Sequence, residues 1–180
     1  NELKDEDINF DFHMHTNQTD GSNSAKEMIS YAEKIGLKSI GFTEHVNRDS
    51  TWFGEFKANI ERLRSTAEIE VFIGVEVKAI DFNGTIDATN EMILESDIVM
   101  GSVHRYPEKN GGLISLEKIA IMEEMEASEI EFNLSIGMLR KGEIDILGHP
   151  LGMCCRFFNK FNKKHMELLF KEALKQKNSH

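Results

Sequence analysis

Short apolar runs alternate with amphipathic stretches along this chain of 180 residues. The runs are almost wholly apolar, which is typical of strands that are covered on both faces of a sheet. Between them, hydrophobic residues recur at the spacing of one helix face. This alternation predicts an α/β fold with a mainly parallel sheet. The predicted strands are 8–12, 39–42, 71–77, 98–102 and 144–148.

The first predicted helix, over 24–35, carries signals at both ends. Ser24 and Glu27 have the spacing of a capping box, and Gly36 stands where a helix would end. The apolar positions of this helix share one face, at the i, i+3, i+4 and i+7 spacing. They are Met28, Tyr31, Ala32 and Ile35.

Three further helices and a hairpin are predicted downstream. Ser128 with Glu131 has the spacing of another capping box, so we expect the third helix to begin there. The last helix covers 163–174, and the Asn83-Gly84 pair indicates a small hairpin. The apolar stripes are Phe56, Ile60 and Leu63 in the second helix, and Phe132, Ile136 and Leu139 in the third.

Histidines accumulate at one end of the predicted strands. Of seven histidines, five lie at or just after the carboxyl end of a predicted strand. Parallel sheets and barrels place their ligand sites at that edge. Packing alone explains five such residues poorly, because each buried imidazole needs its own polar partner. The five are His13, His15, His45, His104 and His149.

Two carboxylates, Asp20 and Glu76, are candidate ligands together with these imidazoles. His13 and His15 share strand parity and project together, as two ligands of one ion would. Asp20, before Gly21, can return a carboxylate to the same place, or it can simply be a turn residue. Glu76 stands in an apolar strand, where burial requires a metal or a cationic partner such as Lys78.

The mixture of imidazole and carboxylate donors indicates which metal ions the chain would bind and which reaction they would support. Imidazoles mixed with carboxylates suit Zn²⁺, Mn²⁺ or Fe²⁺ better than Ca²⁺ or Mg²⁺. The ligands are too numerous for one tetrahedral ion, so we expect more than one ion. Adjacent metals are a common device for phosphoester hydrolysis.

Composition limits the classes of binding partner and the cellular location that we expect for this chain. Lys and Arg number 21 against 31 Asp and Glu, a net charge of −10, so nucleic acid is not an expected partner. No apolar run approaches the roughly 18 residues that span a bilayer, so no membrane partner is expected. The adjacent Cys154 and Cys155 form no disulfide framework, which favours a cytoplasmic protein with reduced thiols. The length suits a single domain over 1–180.

The motifs, in order, resemble the polymerase and histidinol phosphatase (PHP) superfamily of metal-dependent phosphoesterases. This resemblance implies an α/β fold of the distorted (β/α) barrel type, with seven strands and two or three divalent metals at their carboxyl ends. The motifs are Asp11-Phe12-His13-Met14-His15 with Thr16 and Asp20-Gly21, Thr43-Glu44-His45, Gly74-Val75-Glu76, Ser102-Val103-His104 and Gly148-His149-Pro150.

The resemblance also implies roles by position. His13 and His15 resemble ligands of a first metal, and Glu76 resembles the carboxylate that bridges it to a second. His104 and His149 resemble the other ligands of the second metal, and Asp20 and His45 those of a third. A metal-activated water would attack phosphorus. Glu76 and His104 would carry catalysis. From its position directly after His104, Arg105 would either hold a phosphate oxygen or be an ordinary surface charge. Glu44 would hydrogen-bond an imidazole.

One family motif is missing. The family closes with an Asp-x-His motif on a last strand, and nothing after His149 matches it, because His165 lies in a Lys-rich helical segment and His180 is the final residue. We therefore expect a barrel that is incomplete at the carboxyl terminus, with a partner or a reduced site as the alternatives. Uncovered strand edges would favour a homo-oligomer.

The expected function is hydrolysis of a small phosphomonoester. The spacing after His45 looks most like the histidinol phosphatases, which act in histidine biosynthesis. One alternative is a nuclease or polymerase-associated exonuclease that acts on nucleic-acid ends. The other is a metal-binding module whose catalysis has lapsed with the loss of the final motif.

Overall fold

The computed structural model describes Lys4, residues 8–108 and residues 112–177. It contains five strands and seven helices within those residues. The strands are β1 (Phe10–Met14), β2 (Ser39–His45), β3 (Glu70–Lys78), β4 (Ile98–Ser102) and β5 (Ile146–Leu147). The helices are α1 (Ala25–Ile35), α2 (Phe53–Arg64), α3 (Asn90–Glu95), α4 (Leu116–Ala120), α5 (Glu124–Lys141), α6 (Gly152–Phe158) and α7 (Lys163–Lys177).

The strands pair in chain order, and the chain divides into two compact units. The hydrogen-bonded order of the sheet is β1-β2-β3-β4-β5. The first unit comprises the described residues up to Glu76 together with Thr89–Val99. The second comprises Val77–Ala88 and the described residues from Met100 onward. All five predicted strands are therefore present, with ends that differ by a few residues.

In the first unit, β1 pairs with β2 and β2 with β3, both in parallel. The register of β2 on β3 places His45 beside Glu76, so two predicted site residues are neighbours across the sheet. Apolar side chains of these strands form the core of this unit. Ile40, Phe42 and Val75 are all fully buried, as expected for strands that are covered on both faces.

Helix α1 confirms its predicted caps but buries a different face. The Ser24 hydroxyl accepts the Glu27 N–H, the Glu27 carboxylate accepts the Ser24 N–H, and Gly36 ends the helix with φ 84°. The buried residues are Ala25, Ile29 and Ala32. Tyr31 and Ile35, predicted for the apolar face, are 62% and 55% exposed. Tyr31 and Ile35 instead border a groove beside β1.

In the second unit, β4 pairs in parallel with β5. Helix α5 begins at Glu124, four residues before the predicted start, so Ser128 and Glu131 lie inside the helix and both are buried. The predicted capping box is wrong. Acidic residues occupy the first turn instead, at Glu124 and Glu126, where they complement the helix dipole.

The predicted hairpin is present as a single bridge. Ala79 faces Ile86 in an antiparallel bridge, and Ile80 donates its N–H to the Thr85 carbonyl at 2.9 Å. Gly84 turns the chain with φ 82°, a conformation that other residues rarely adopt. Gly84 also meets the backbone of Gly137 in α5, where an added Cβ would lie 2.2 Å from the Gly137 carbonyl oxygen.

The contact between the hairpin and α5 predicts that Gly137→Ala destabilises the chain. A Cβ on Gly137 would lie 2.5 Å from the Phe82 carbonyl oxygen, which is backbone and cannot rotate away. We expect urea denaturation to show a loss of about 1–3 kcal/mol. The matched control is Gly54→Ala in α2, where nothing lies within 4 Å of an added Cβ, so helix propensity should give a gain of about 0.5–1 kcal/mol. Equal stability of the two variants would contradict the contact.

No described helix is both long enough and apolar enough to cross a membrane.

Candidate metal site

Three imidazoles surround one buried carboxylate in the first unit. The Glu76 side chain is 0% exposed, and its Oε1 lies 3.5 Å from His13 Nε2. Its Oε2 lies 3.3 Å from His15 Nε2 and 2.9 Å from His45 Nδ1. The parallel register of β1, β2 and β3 brings these residues together from three separate segments.

The expected ion pair between Lys78 and Glu76 is replaced by another pair of Lys78. Lys78, two residues along β3, pairs with Asp87 at 2.9 Å instead. A buried carboxylate needs compensating charge or hydrogen bonds. Here imidazoles stand next to the carboxylate, and an imidazole with a free lone pair is a metal ligand.

Asp20 joins this group from a loop. Its Oδ2 lies 3.4 Å from His45 Nε2, and the rings of His15 and His45 stack at 4.2 Å between centroids. One ligand atom each from His15, Asp20 and His45 lies within 4.8 Å of the other two. Asp20 therefore lies next to two of the predicted site residues.

One buried atom of this group points to a missing ligand. His15 Nδ1 is buried and has no hydrogen-bond partner among the described residues. Such atoms are rare in folded proteins, and a bound ion or water is a common partner for them. Nitrogen and carboxylate donors together match Zn²⁺, Mn²⁺ or Fe²⁺. The residues present therefore fit a divalent transition metal.

Glu44 anchors the Asp20 loop and does not contact an imidazole. Its fully buried carboxylate accepts the Thr16 N–H at 2.7 Å and also accepts the Thr19 hydroxyl. The expected hydrogen bond from Glu44 to an imidazole is therefore wrong. In β2, neighbouring residues face opposite sides, so Glu44 points away from the side that His45 faces.

The surrounding acids favour the charged form of His45. The hydrogen bond with Glu76 raises the pKa of His45 most, and the charges of Glu76 and Asp20 add to it, while burial opposes them. In the metal-free chain this stabilisation is complete below the ordinary pKa of histidine and is lost as pH rises through the raised value. Protons and metal ions therefore compete for this imidazole.

The second unit holds its own pair of imidazoles. His104 follows β4 by two residues and His149 follows β5 by two, and their Nε2 atoms are 3.2 Å apart. The backbone of His149 has φ 25° and that of Leu151 has φ 60°. Residues other than glycine rarely adopt these angles. The turn that carries His149 is therefore held in a strained conformation.

Arg105 is half-buried beside His104. Its guanidinium donates to the carbonyl of His104 at 3.3 Å. The pKa of Glu117 is lowered most by hydrogen bonds from its own backbone and from Ser115, and the charge of Arg105 adds to them. Arg48, which lies just beyond His45, is exposed. Neither contact assigns a phosphate role.

A buried carboxylate in the second unit was not predicted as a site residue. Glu131 of α5 accepts the N–H groups of Met153 and Cys154 at 3.0 and 2.9 Å, and the Tyr106 hydroxyl at 3.4 Å. Burial raises the pKa of Glu131, although these hydrogen bonds oppose the shift. The spacing of Glu131 from Ser128 suggested a helix start, and no local pattern connects it with α6.

The loop anchor predicts that Glu44→Ala destabilises the first unit. The substitution leaves the buried Thr16 N–H without its acceptor, which should cost about 1–3 kcal/mol. Thr19→Val is the matched control, because it removes only one donor to the same carboxylate and should cost about 0.5–1.5 kcal/mol. Urea denaturation measures both. Unchanged stability of Glu44→Ala would contradict the anchoring role.

The two cysteines should differ sharply in reactivity. Both are free thiols, as predicted, with Cys154 buried and Cys155 exposed. Burial, together with the charge of Glu131, raises the pKa of Cys154 to about 12, and only the thiolate reacts. At pH 8, iodoacetamide should modify Cys155 in the folded chain and both residues after denaturation, as read by peptide mass spectrometry. Equal rates in the folded chain would be inconsistent with this environment.

Comparisons with known proteins agree on a family. The family model described as "PHP domain" matches residues 11–176. A Clostridium novyi protein named "probable phosphatase" is 27% identical over 146 residues, which cover 78% of this chain and 52% of that protein. The Bacillus subtilis DNA polymerase/3'-5' exonuclease PolX is 26% identical over 156 residues, which cover 81% of this chain and 24% of PolX. The chain thus spans about half of one relative and about a quarter of the other.

A solved structure matches the fold. The crystal structure of a Listeria monocytogenes protein assigned as the histidinol phosphatase HisK aligns with a TM-score of 0.54 at 15% identity, covering 93% of this chain and 79% of that one. At this identity the match bears on the fold alone. It confirms the predicted class, an α/β fold of the distorted (β/α) barrel type with fewer than seven strands among the described residues.

Proposed function

Because the chain belongs to the PHP domain family, we propose that it hydrolyses a small phosphomonoester with the help of divalent metal ions. Membership in this family, together with the similarity to a protein named a phosphatase, supports a phosphoesterase-type hydrolase. The observation that carries the finer proposal is the fully buried Glu76 carboxylate, which has three imidazoles within 3.5 Å. A charge in that position is best explained by ions that it helps to hold.

Each unit carries proposed ligands. In the first unit they are His13, His15, Asp20, His45 and Glu76. In the second they are His104 and His149, whose facing Nε2 atoms each carry a lone pair or a proton. We propose Zn²⁺, Mn²⁺ or Fe²⁺ as the ions, because the ligands combine imidazole nitrogen with carboxylate oxygen.

Individual side chains of the protein would have separate roles in the proposed hydrolysis. When bound, divalent ions supply charge neutralisation of the phosphoryl group and a lowered pKa of water. Glu76 holds His13, His15 and His45 in place through its buried carboxylate. Arg105 would bind a phosphoryl oxygen with its guanidinium. Glu44 keeps the Asp20 loop closed through its bonds to Thr16 and Thr19.

The net negative charge of the chain favours small substrates over long nucleic acids. A net charge of −10 disfavours a long polyanion, whereas a phosphomonoester needs only a local positive site. We propose a histidinol-phosphate-like substrate, and with it a role in histidine biosynthesis, from the resemblance of the motifs and from the HisK fold match. A single-domain organisation, a cytoplasmic location and self-association stay predictions.

A second candidate function is favoured by one finding. The similarity to PolX, named a DNA polymerase/3'-5' exonuclease, supports a nuclease that acts on nucleic-acid ends. The net negative charge weighs against it. Shortening of a 5′-labelled single-stranded oligonucleotide, without release of phosphate from small esters, would favour the nuclease. Metal retention with neither activity would favour the lapsed module.

The central experiment measures metal content and phosphatase activity for the wild-type chain and for two variants. Elemental analysis after dialysis should find Zn, Mn or Fe in the wild-type chain. Phosphate release from histidinol phosphate and para-nitrophenyl phosphate should cease with EDTA and return with Mn²⁺. His15→Ala and His104→Ala should each lower bound metal and reduce activity at least about 100-fold, because loss of an outer-shell partner alone typically costs 10–100-fold.

The matched control is His165→Ala. His165 stands on α7, where Nδ1 lies 2.8 Å from the Ser128 hydroxyl and Phe132 stacks on the ring, so it is not a proposed ligand. Its metal content and activity should stay at the wild-type level. Hydrolysis that survives prolonged chelation, or equal metal content in His15→Ala and wild type, would refute the proposal.

A further inference from the structure

We infer that Glu131 is a positioning residue that sets the spacing of His104 and His149, an inference that rests on their proposed role as metal ligands. Glu131 touches neither imidazole in the structure's hydrogen bonds. It acts through the two loops that carry them. Each loop returns a donor to the Glu131 carboxylate shortly after its histidine.

The Glu131 carboxylate is buried among donors. Only 1% of the residue is exposed. Its partners are two backbone N–H groups and a phenol hydroxyl, and all three donate. A carboxylate with only donors around it keeps its hydrogen bonds in the ionised form. Replacing it by an apolar group would leave two buried N–H groups without an acceptor.

The His149 loop depends on these bonds for its shape. Met153 and Cys154 follow His149 by four and five residues, and their N–H groups bind Glu131. Between them and His149, the backbone passes through the left-handed conformation at Leu151. Gly152 donates its N–H to the His149 carbonyl, and a Cβ on Gly152 would lie 3.0 Å from the His149 Nδ1. A turn of this kind persists only when surrounding contacts enforce it.

The His104 loop reaches the same carboxylate through Tyr106. This residue follows His104 by two positions and is fully buried. Its hydroxyl binds Glu131, and its carbonyl accepts the Ile114 N–H at 2.8 Å. Both loops are therefore hydrogen-bonded to the same carboxylate on α5. The 3.2 Å separation of the two Nε2 atoms follows from that shared anchor.

A purely structural role would give a different result from a positioning role. Loss of a buried acceptor lowers stability in either case. Only positioning changes how the imidazoles bind a metal ion. Outer-shell partners of metal ligands typically account for about 10–100-fold in affinity, and we expect Glu131→Ala to fall in that range.

The test uses the full chain with Co²⁺ and Zn²⁺ as probes. The variants are Glu131→Ala, Glu131→Gln, which keeps one acceptor oxygen, and Tyr106→Phe, which removes one donor. Competition with a chelator measures the Zn²⁺ dissociation constant, and the visible spectrum of bound Co²⁺ reports ligand geometry. Amide hydrogen exchange over 149–154 is measured without metal. We expect Glu131→Ala to bind Zn²⁺ about 10–100-fold more weakly, with an altered Co²⁺ spectrum and faster exchange, and the other two variants to be affected less.

Ser135→Ala is the matched control. Ser135 is fully buried one turn along α5, and its hydroxyl donates to the Glu131 carbonyl at 2.9 Å without reaching either loop. It should lose stability and keep the wild-type metal affinity, spectrum and exchange. If Glu131→Ala fails to fold, Glu131→Gln and Tyr106→Phe carry the test.

The outcomes separate the two proposals. If wild type binds metal, and a folded Glu131 variant shows the same affinity and Co²⁺ spectrum, the positioning role is overturned and the proposed function stands. If wild type retains no metal, or His104→Ala and His149→Ala leave binding unchanged, the ligand assignment itself fails. Faster exchange over 149–154 in the metal-free Glu131 variants, together with weaker Zn²⁺ binding, supports the positioning role.

Discussion

The arrangement of the first unit depends on a negative charge that is kept out of water. A carboxylate in a protein interior is stable only with compensating groups close to it. Glu76 meets that requirement with imidazoles that β1 and β2 deliver, so the register of three parallel strands and the position of one acid support each other. Slippage of β2 by one residue would reverse its side chains and remove His45 from the carboxylate.

Two other buried acids, Glu44 and Glu131, fix loops that adjoin proposed ligands. Glu44 closes the loop that ends at Asp20 in the first unit, and Glu131 holds the turn after His149 in the second. Glu44 accepts one backbone N–H group and Glu131 accepts two, and each stands on a regular element. Ligand-bearing loops gain precision when rigid elements support them. Both acids therefore fix a loop next to proposed ligands, although neither is among those ligands.

The sequence predicted what local patterns encode. Apolar runs located the strands, a capping box located the start of α1, and the parity of His13 and His15 matched a shared carboxylate at Glu76. Contacts distant along the chain were not predictable. Glu44 lies 28 residues from Thr16, and Glu131 lies 22 from Met153, so no spacing rule connects them. The capping spacing of Ser128 misled because acidic residues further upstream begin α5 more favourably.

Cys155 offers a natural attachment point for an optical reporter. It is exposed, while its neighbour Cys154 is buried and bonded to Glu131 through the backbone. A maleimide dye would therefore attach at one location without any engineered substitution. Because that location adjoins the turn after His149, the emission of the dye would report rearrangements of the turn in real time.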